Sequence, residues 1–118
     1  MDSDEVLLVT TDHIPGYRIV KVLGLASGSV VMARNLGRDV LAALRNLAGG
    51  EIKEYTELMA RARDIALRRL CEKARSVGAN AVIGLRITSS TVMSGAAEIL
   101  AYGTAVIVEP VGEVEAES

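Results

Sequence analysis

Arg45, Glu51, Glu54 and Tyr55 gather around the Gly49-Gly50 pair, the one cluster of chemically able side chains in this sequence worth keeping as a candidate site. Adjacent glycines let a backbone approach another group closely, and a helix starting just beyond them offers free N–H groups to an anion or a carboxylate. Every helix start must satisfy such donors, so a cap combined with a subunit contact is the reading preferred over a ligand site. The soft ligands are few: His13 and Cys71, one of each. Zinc and copper need several Cys, His or carboxylate ligands converging on one point, and no pair here stands at ligand spacing. An intrachain soft-metal site is not expected, and only a ring of copies, each contributing one His13 or one Cys71, could assemble one. His13 stands beside a turn proline and reads as a solvated loop residue. Cys71, between Leu70 and Ala74, reads as a buried inert thiol.

Arg86 and Glu98 fall on two adjoining strand segments, and opposite charges across neighbouring strands stabilise a sheet. That pairing is expected ahead of a binding role for either residue. Asp12-His13 with Ser27 or Ser29 supplies the residue types of a hydrolase triad, but no nucleophile-elbow motif frames either serine. Gly24 with Gly28, and Gly49 with Gly50, do not have the spacing of a phosphate-binding loop. No cofactor is identified by these residues.

The elements that must position these groups follow from composition and period. The chain has 118 residues, enough for a single domain over 1–118 with one core. Half of the residues are hydrophobic, yet Trp and Phe are absent. The core therefore consists of Val, Ile, Leu, Ala and Met, with few stacking platforms. A net charge of −2 with interspersed signs lacks the basic footprint of a nucleic-acid binder. Apolar runs such as Ala105–Val108 are far shorter than the ~20 residues that span a bilayer, so no membrane partner is expected. The acidic start, Met1–Glu5, is unlike an export signal, and a single cysteine suits a reducing compartment; a cytoplasmic location is expected.

From Asn46 to Val77 apolar residues recur every three or four positions behind the glycine pair, which predicts one long amphipathic helix stopped by Gly78. A short helix is expected over Val40–Leu47. Strands are expected over Val6–Thr11, from Tyr17 to about Ala33, over Ala81–Val92 and over Ala96–Val108. Gly24 and Ser27-Gly28-Ser29 bend or divide the second, the turn at Ile14-Pro15-Gly16 precedes it, and Met93-Ser94-Gly95 forms a tight turn between the last two. In the final strand one face carries Ala97, Ile99, Ala101, Gly103, Ala105 and Ile107, small enough for a helix to lie close. The other carries Glu98, Leu100, Tyr102, Thr104, Val106 and Val108. One helix covers one face of an antiparallel sheet, so Leu100, Tyr102, Val106 and Val108 are expected to be buried against another copy. The acidic tail, 111–118, is expected to fray.

Four segments carry a family resemblance: Ile14-Pro-Gly-Tyr-Arg-Ile-Val-Lys-Val-Leu-Gly24, Leu44-Arg-Asn-Leu-Ala-Gly-Gly-Glu-Ile-Lys-Glu-Tyr-Thr-Glu-Leu58, Gly78-Ala-Asn-Ala-Val-Ile-Gly84 and Leu100-Ala-Tyr-Gly-Thr-Ala-Val106. In this order and spacing they resemble the YbjQ family of small prokaryotic proteins, over about residues 6–109. The resemblance implies an α+β, dodecin-like β-β-α-β-β subunit, a homopentameric ring with strand pairing between subunits, and a family label of heavy-metal binding. One departure stands after Gly84, where relatives read Val-Arg-Phe-Asp and this chain has Leu85-Arg86-Ile87-Thr88, a hydroxyl in place of a carboxylate.

Two functions of different class follow. One is a non-enzymatic oligomeric module, its partner itself, with a small ligand or metal ion held between subunits; the other is an enzyme whose site forms only at the interface. The second needs a nucleophile or base, and the sequence offers no obvious one.

Overall fold

A computed structural model describes residues 5–32, 53–93 and 96–112, with the backbone alone at 53–55, 92 and 93. The elements are β1 (Leu7–Leu8), β2 (Tyr17–Met32), α1 (Lys53–Ser76), β3 (Ala81–Met93) and β4 (Ala96–Pro110). Among the described residues this is an α+β arrangement of one helix on one four-stranded sheet, in the order β1-β3-β4-β2. β2 and β3 run antiparallel to β4, but β1 is parallel to β3. The sheet is therefore mixed, a correction to the antiparallel sheet expected. Only Leu7–Leu8 of the expected first strand forms regular ladder pairs, although Val9 and Thr11 still bond to β3. The short helix expected over Val40–Leu47, the turn residues Ser94 and Gly95 and the tail from 113 onward lie outside the described residues.

The helix lies close to the sheet because both surfaces are made small. Ala62, Ala66, Leu70 and Ala74 recur every four residues on α1 and are fully buried. Beneath them lie Ala26 and Val30 of β2, Ile99, Ala101 and Ala105 of β4, and Val82 and Leu85 of β3. Gly28 marks the closest approach: a Cβ there would run into the backbone of α1, at Leu70 N, Ala66 O and, at 2.8 Å, Arg69 C. Arg69 also donates from Nη1 to Ser29 O at 2.7 Å, tying helix to strand beside this contact. Gly28 does not divide β2. The irregularities lie earlier, as register shifts around Val20 and Leu23, with Gly24 at φ +108°.

The helix ends as expected, on a left-handed glycine. Gly78 takes φ +92°, Gly78 N donates to Arg75 O and Ala79 N to Ala74 O, both at 3.0 Å, the paired bonds that a left-handed glycine makes past a helix end. Asn80 then behaves as one more rung of the sheet. Its Nδ2 donates to Val108 O at 2.9 Å and its Oδ1 accepts from Val108 N at 2.8 Å.

β3 carries a bulge that captures the N-terminal segment. Ile83 faces Thr104 and Arg86 faces Tyr102, so Gly84 and Leu85 together oppose Gly103. With Gly84 at φ +63°, Gly84 N donates to Thr11 O at 2.8 Å and Leu85 N to Val9 O at 3.0 Å. A Cβ on Gly103 would meet Val82 Cγ1 at 2.6 Å and Ile83 O at 2.9 Å, so glycine there is what lets the bulge settle.

Gly28→Ala is expected to cost about 3 kcal/mol of stability, since the added methyl meets helix backbone rather than a side chain that can swing away. Urea denaturation checks this, with the exposed Ser27→Ala as a control expected near wild type.

Candidate functional site

Pro15 and Gly16 occupy the middle of a turn closed by Tyr17 N donating to Ile14 O at 3.0 Å, with Gly16 at φ +85°. Proline pre-sets the first central residue and glycine accepts the left-handed second one. The turn seats Ile14 on the sheet face away from α1, where it buries against Ala81, Val106 and Val108, with Leu7, Val9 and Ile83 around them. This corrects the expectation for Val106 and Val108: the chain's own N-terminal segment covers both. Leu100 and Tyr102 stay half-buried on the same face.

The larger apolar feature is one that strand alternation does not reveal. Opposed residues of an antiparallel pair share a face. Tyr17, Ile19, Val22, Leu25 and Val31 stand opposite Pro110, Val108, Val106, Thr104 and Glu98, so all five point to the face away from α1. The register shifts around Val20 and Leu23 make this possible, because they move Lys21 opposite Ile107 and out of the row. The five are exposed, Val22 at 61% and Leu25 at 76%. β2 is also an edge strand, with nothing beyond it in the sheet among the described residues. Near its start Arg18 and Glu109 face each other and pair, with Nε donating to Oε1 at 2.8 Å. From Leu25 to Met32 the strand carries neither charge nor proline. The signal that could have located this stripe is Gly24, whose positive φ accompanies the second register shift.

The residues named from sequence do not converge. Arg86 does not meet Glu98, a correction: Arg86 stands opposite Tyr102, whereas Glu98 stands opposite Ser90 and Val31. The Arg86 guanidinium instead donates from Nη1 to Thr10 O at 3.0 Å and Leu85 O at 2.8 Å, reinforcing the hold of the bulge on the N-terminal segment. Tyr102 lies in mid-sheet between Ser27 and Arg86. Arg45, Gly49, Gly50 and Glu51 lie outside the described residues, and Glu54 and Tyr55 are seen only as backbone in the first turn of α1. His13 is exposed just before the turn, its Nδ1 3.0 Å from Asp12 Oδ1, and this hydrogen bond holds the Asp12 carboxyl below its ordinary value. Cys71 is half-buried on α1 rather than fully buried, and desolvation raises its thiol, with Arg75 opposing and Glu72 adding.

A shallow groove of about 140 Å³ lies between Met59 and the hydroxyl-rich part of β3, lined by Ser89, Ser90, Thr91 and Ala97. It is smaller than the roughly 300–1,000 Å³ usual for a small-molecule site.

A family described as "Putative heavy-metal-binding" matches residues 6–109. Among curated proteins the chain is 58% identical to a UPF0145 protein of Pyrococcus furiosus over 90% of this chain and 93% of that one. It is likewise 58% identical to one of Thermotoga maritima over 90% and 100%, and 53% identical to one of Thermus thermophilus over 93% and 96%. Among solved structures, a protein of unknown function of the DUF74 family from Pediococcus pentosaceus aligns with TM-score 0.56 at 21% identity. That alignment covers 88% of this chain and 98% of the other, a likeness of fold.

The described His, Cys, Asp and Glu residues do not form a ligand set for the heavy metal that the family description names. No three His, Cys, Asp or Glu among them group as ligands. His13 sits just before the turn whose Ile14 covers one face of the sheet, and Cys71 is on the helix that covers the other. A thiol raised by desolvation is also a poor ligand, since the thiolate is what binds metal. Calorimetric titration of tag-free protein with Zn²⁺ or Cu²⁺ is expected to give only weak binding. Submicromolar stoichiometric binding abolished by His13→Ala or Cys71→Ala would contradict this.

Proposed function

The chain belongs to the YbjQ family, and we propose that it is the subunit of a closed homo-oligomer, a non-enzymatic module that holds a small ligand or ion between copies. The observation that carries the reading is the apolar stripe of Tyr17, Ile19, Val22, Leu25 and Val31 on an edge strand of 16 residues. A long apolar edge is a template for association, and soluble proteins blunt such edges with charge, proline, bulges or cover. Along Leu25–Met32 this one has none of the first two. Burying what remains exposed of the five side chains contributes on the order of 5 kcal/mol per stripe. That alone does not offset the loss of free motion on association, at an estimated 4–15 kcal/mol or more. Backbone pairing and a second contact on each copy must therefore add to it. Five copies in a dodecin-like ring are what the family resemblance implies.

The groups flanking the stripe suggest what the module holds. Ser27, Ser29, Tyr102 and Thr104 present hydroxyls on this face, with Glu98 as a carboxylate beside Val31. Oxygen donors of this kind suit a hard cation or a polar molecule rather than zinc or copper.

Leu25→Asp tests the assembly. Leu25 is exposed within one subunit, so the change spares folding, but in an assembly it buries an unpaired carboxylate. Val106→Asp is unsuitable, since Val106 is fully buried within the chain. Sedimentation velocity is expected to show wild type as a single species larger than a monomer and Leu25→Asp as a monomer with unchanged circular dichroism. A wild-type monomer at micromolar concentration overturns the reading.

A further inference from the structure

Two methionines far apart in sequence meet over one alanine at the end of the sheet. Met32 closes β2 opposite Ala97 of β4, on the face that Val30 and Ile99 present to α1. Met59 approaches the same alanine from the helix, since both line the shallow groove between α1 and β3. Met93, a third, closes β3 opposite Ala96. Unbranched thioether side chains usually serve to fill irregular gaps in a core. Met32 and Met59 do not fill this one: both are only partly buried, at the rim of a cluster built of Ala, Val, Leu and Ile. Beside them about 140 Å³ stays open, with Ser89, Ser90 and Thr91 on the strand side. That space is small for an organic ligand and ample for a single ion.

We propose that this end of the sheet is a thioether site for a monovalent soft cation, Cu⁺ or Ag⁺, with Met32 and Met59 as its sulfur ligands. The donors select the ion. Thioether sulfur is soft and neutral and favours cuprous copper, whereas calcium and magnesium want carboxylate and carbonyl oxygens. No carboxylate, imidazole or thiol lines the groove among the described residues, so a divalent ion would find nothing there to offset its charge. Weak binding of Zn²⁺ and Cu²⁺ and firm binding of Cu⁺ are therefore compatible. A thioether also has no proton to lose before it binds, unlike the Cys71 thiol, whose desolvation works against the thiolate. Each methionine has three rotatable side-chain bonds, so both sulfurs can turn to one ion in the groove, and the hydroxyls of Ser89 and Thr91 are at hand as weak further donors. The site lies on the α1 side of the sheet and the apolar stripe on the other, so ion binding here does not depend on association of copies.

Silver ion is the probe, because it shares the preference of Cu⁺ for sulfur and needs no reductant to stay monovalent. Tag-free protein in a Cys71→Ser background, labelled with ¹³C at the methionine methyl groups, is titrated with silver nitrate in chloride-free buffer. The chain has four methionines, and Met1 serves as the control for adventitious binding to any exposed thioether. The Met32 and Met59 methyl signals are expected to shift together and saturate at one ion per chain while that of Met1 stays in place. By calorimetry, Met32→Leu and Met59→Leu are each expected to weaken silver binding about tenfold or more. Leucine keeps the bulk of methionine, so urea denaturation midpoints are expected near wild type, which separates lost ligands from lost fold. Silver binding that survives in the Met32→Leu, Met59→Leu double variant overturns the proposal, as does binding abolished by His13→Ala. A Met1 signal that moves in step with the others shows adventitious thioether binding only and overturns it too. No binding in the micromolar range likewise overturns it, and leaves the homo-oligomer reading untouched.

Discussion

The contact on which this structure depends is the close approach of α1 to β2, where Gly28 lies directly under the helix backbone at Ala66 and Leu70. A core without Phe or Trp has little bulk with which to fill space, so stability has to come from short separations rather than large side chains. The alanines at positions 62, 66 and 74 allow that separation on the helix side, and Gly28, Ala26 and Ala101 allow it on the sheet side. The consequence is narrow coverage. A helix drawn down onto β2 and β4 scarcely touches β3, and it leaves the opposite face to other parts of the chain. The N-terminal segment covers one end of that face through Ile14, and the rest stays open.

The bulges decide what the open part presents. In β3, Gly84 and Leu85 turn two consecutive N–H groups toward the N-terminal segment, which locks Ile14 over Val106 and Val108. In β2, the shifts around Val20 and Leu23 remove Lys21 from the outer row and bring Val22 into it. A single lysine on that row would have placed a charge in the middle of the stripe, the usual protection of an edge. Local backbone irregularity, more than composition, is therefore what makes this surface apolar, and the association proposed above is argued from it.

Much of this was legible in the sequence, and the failures have separate causes. The apolar period behind Gly49-Gly50 located the helix, Gly78 located its end, and Pro15-Gly16 located the turn, because each depends on neighbours a few residues away. The small-residue face of β4 was legible from simple alternation. The cover over Val106 and Val108 was not, since it depends on a parallel pairing between Leu7 and Ala81, 74 positions apart. The apolar stripe was hidden because two register shifts break the period on which alternation rests. The Arg86–Glu98 pairing failed for a plainer reason: counting back from the turn expected at Met93-Ser94-Gly95 already places Arg86 near Tyr102, and an expectation drawn from charge alone ignores that register. The candidate group around Arg45 and Glu51 lies outside the described residues, so the site that does emerge is an edge and a face rather than a cluster of reactive groups.

The proposed function rests on the claim that a second copy of the chain covers the β2 edge. Native mass spectrometry of untagged protein, sprayed from volatile buffer across a range of micromolar concentrations, tests it most directly because it counts subunits and weighs anything they retain. The account predicts one closed homo-oligomeric species, five subunits if the family resemblance holds for assembly, persisting across that range. A spectrum of monomers alone at every concentration would contradict it.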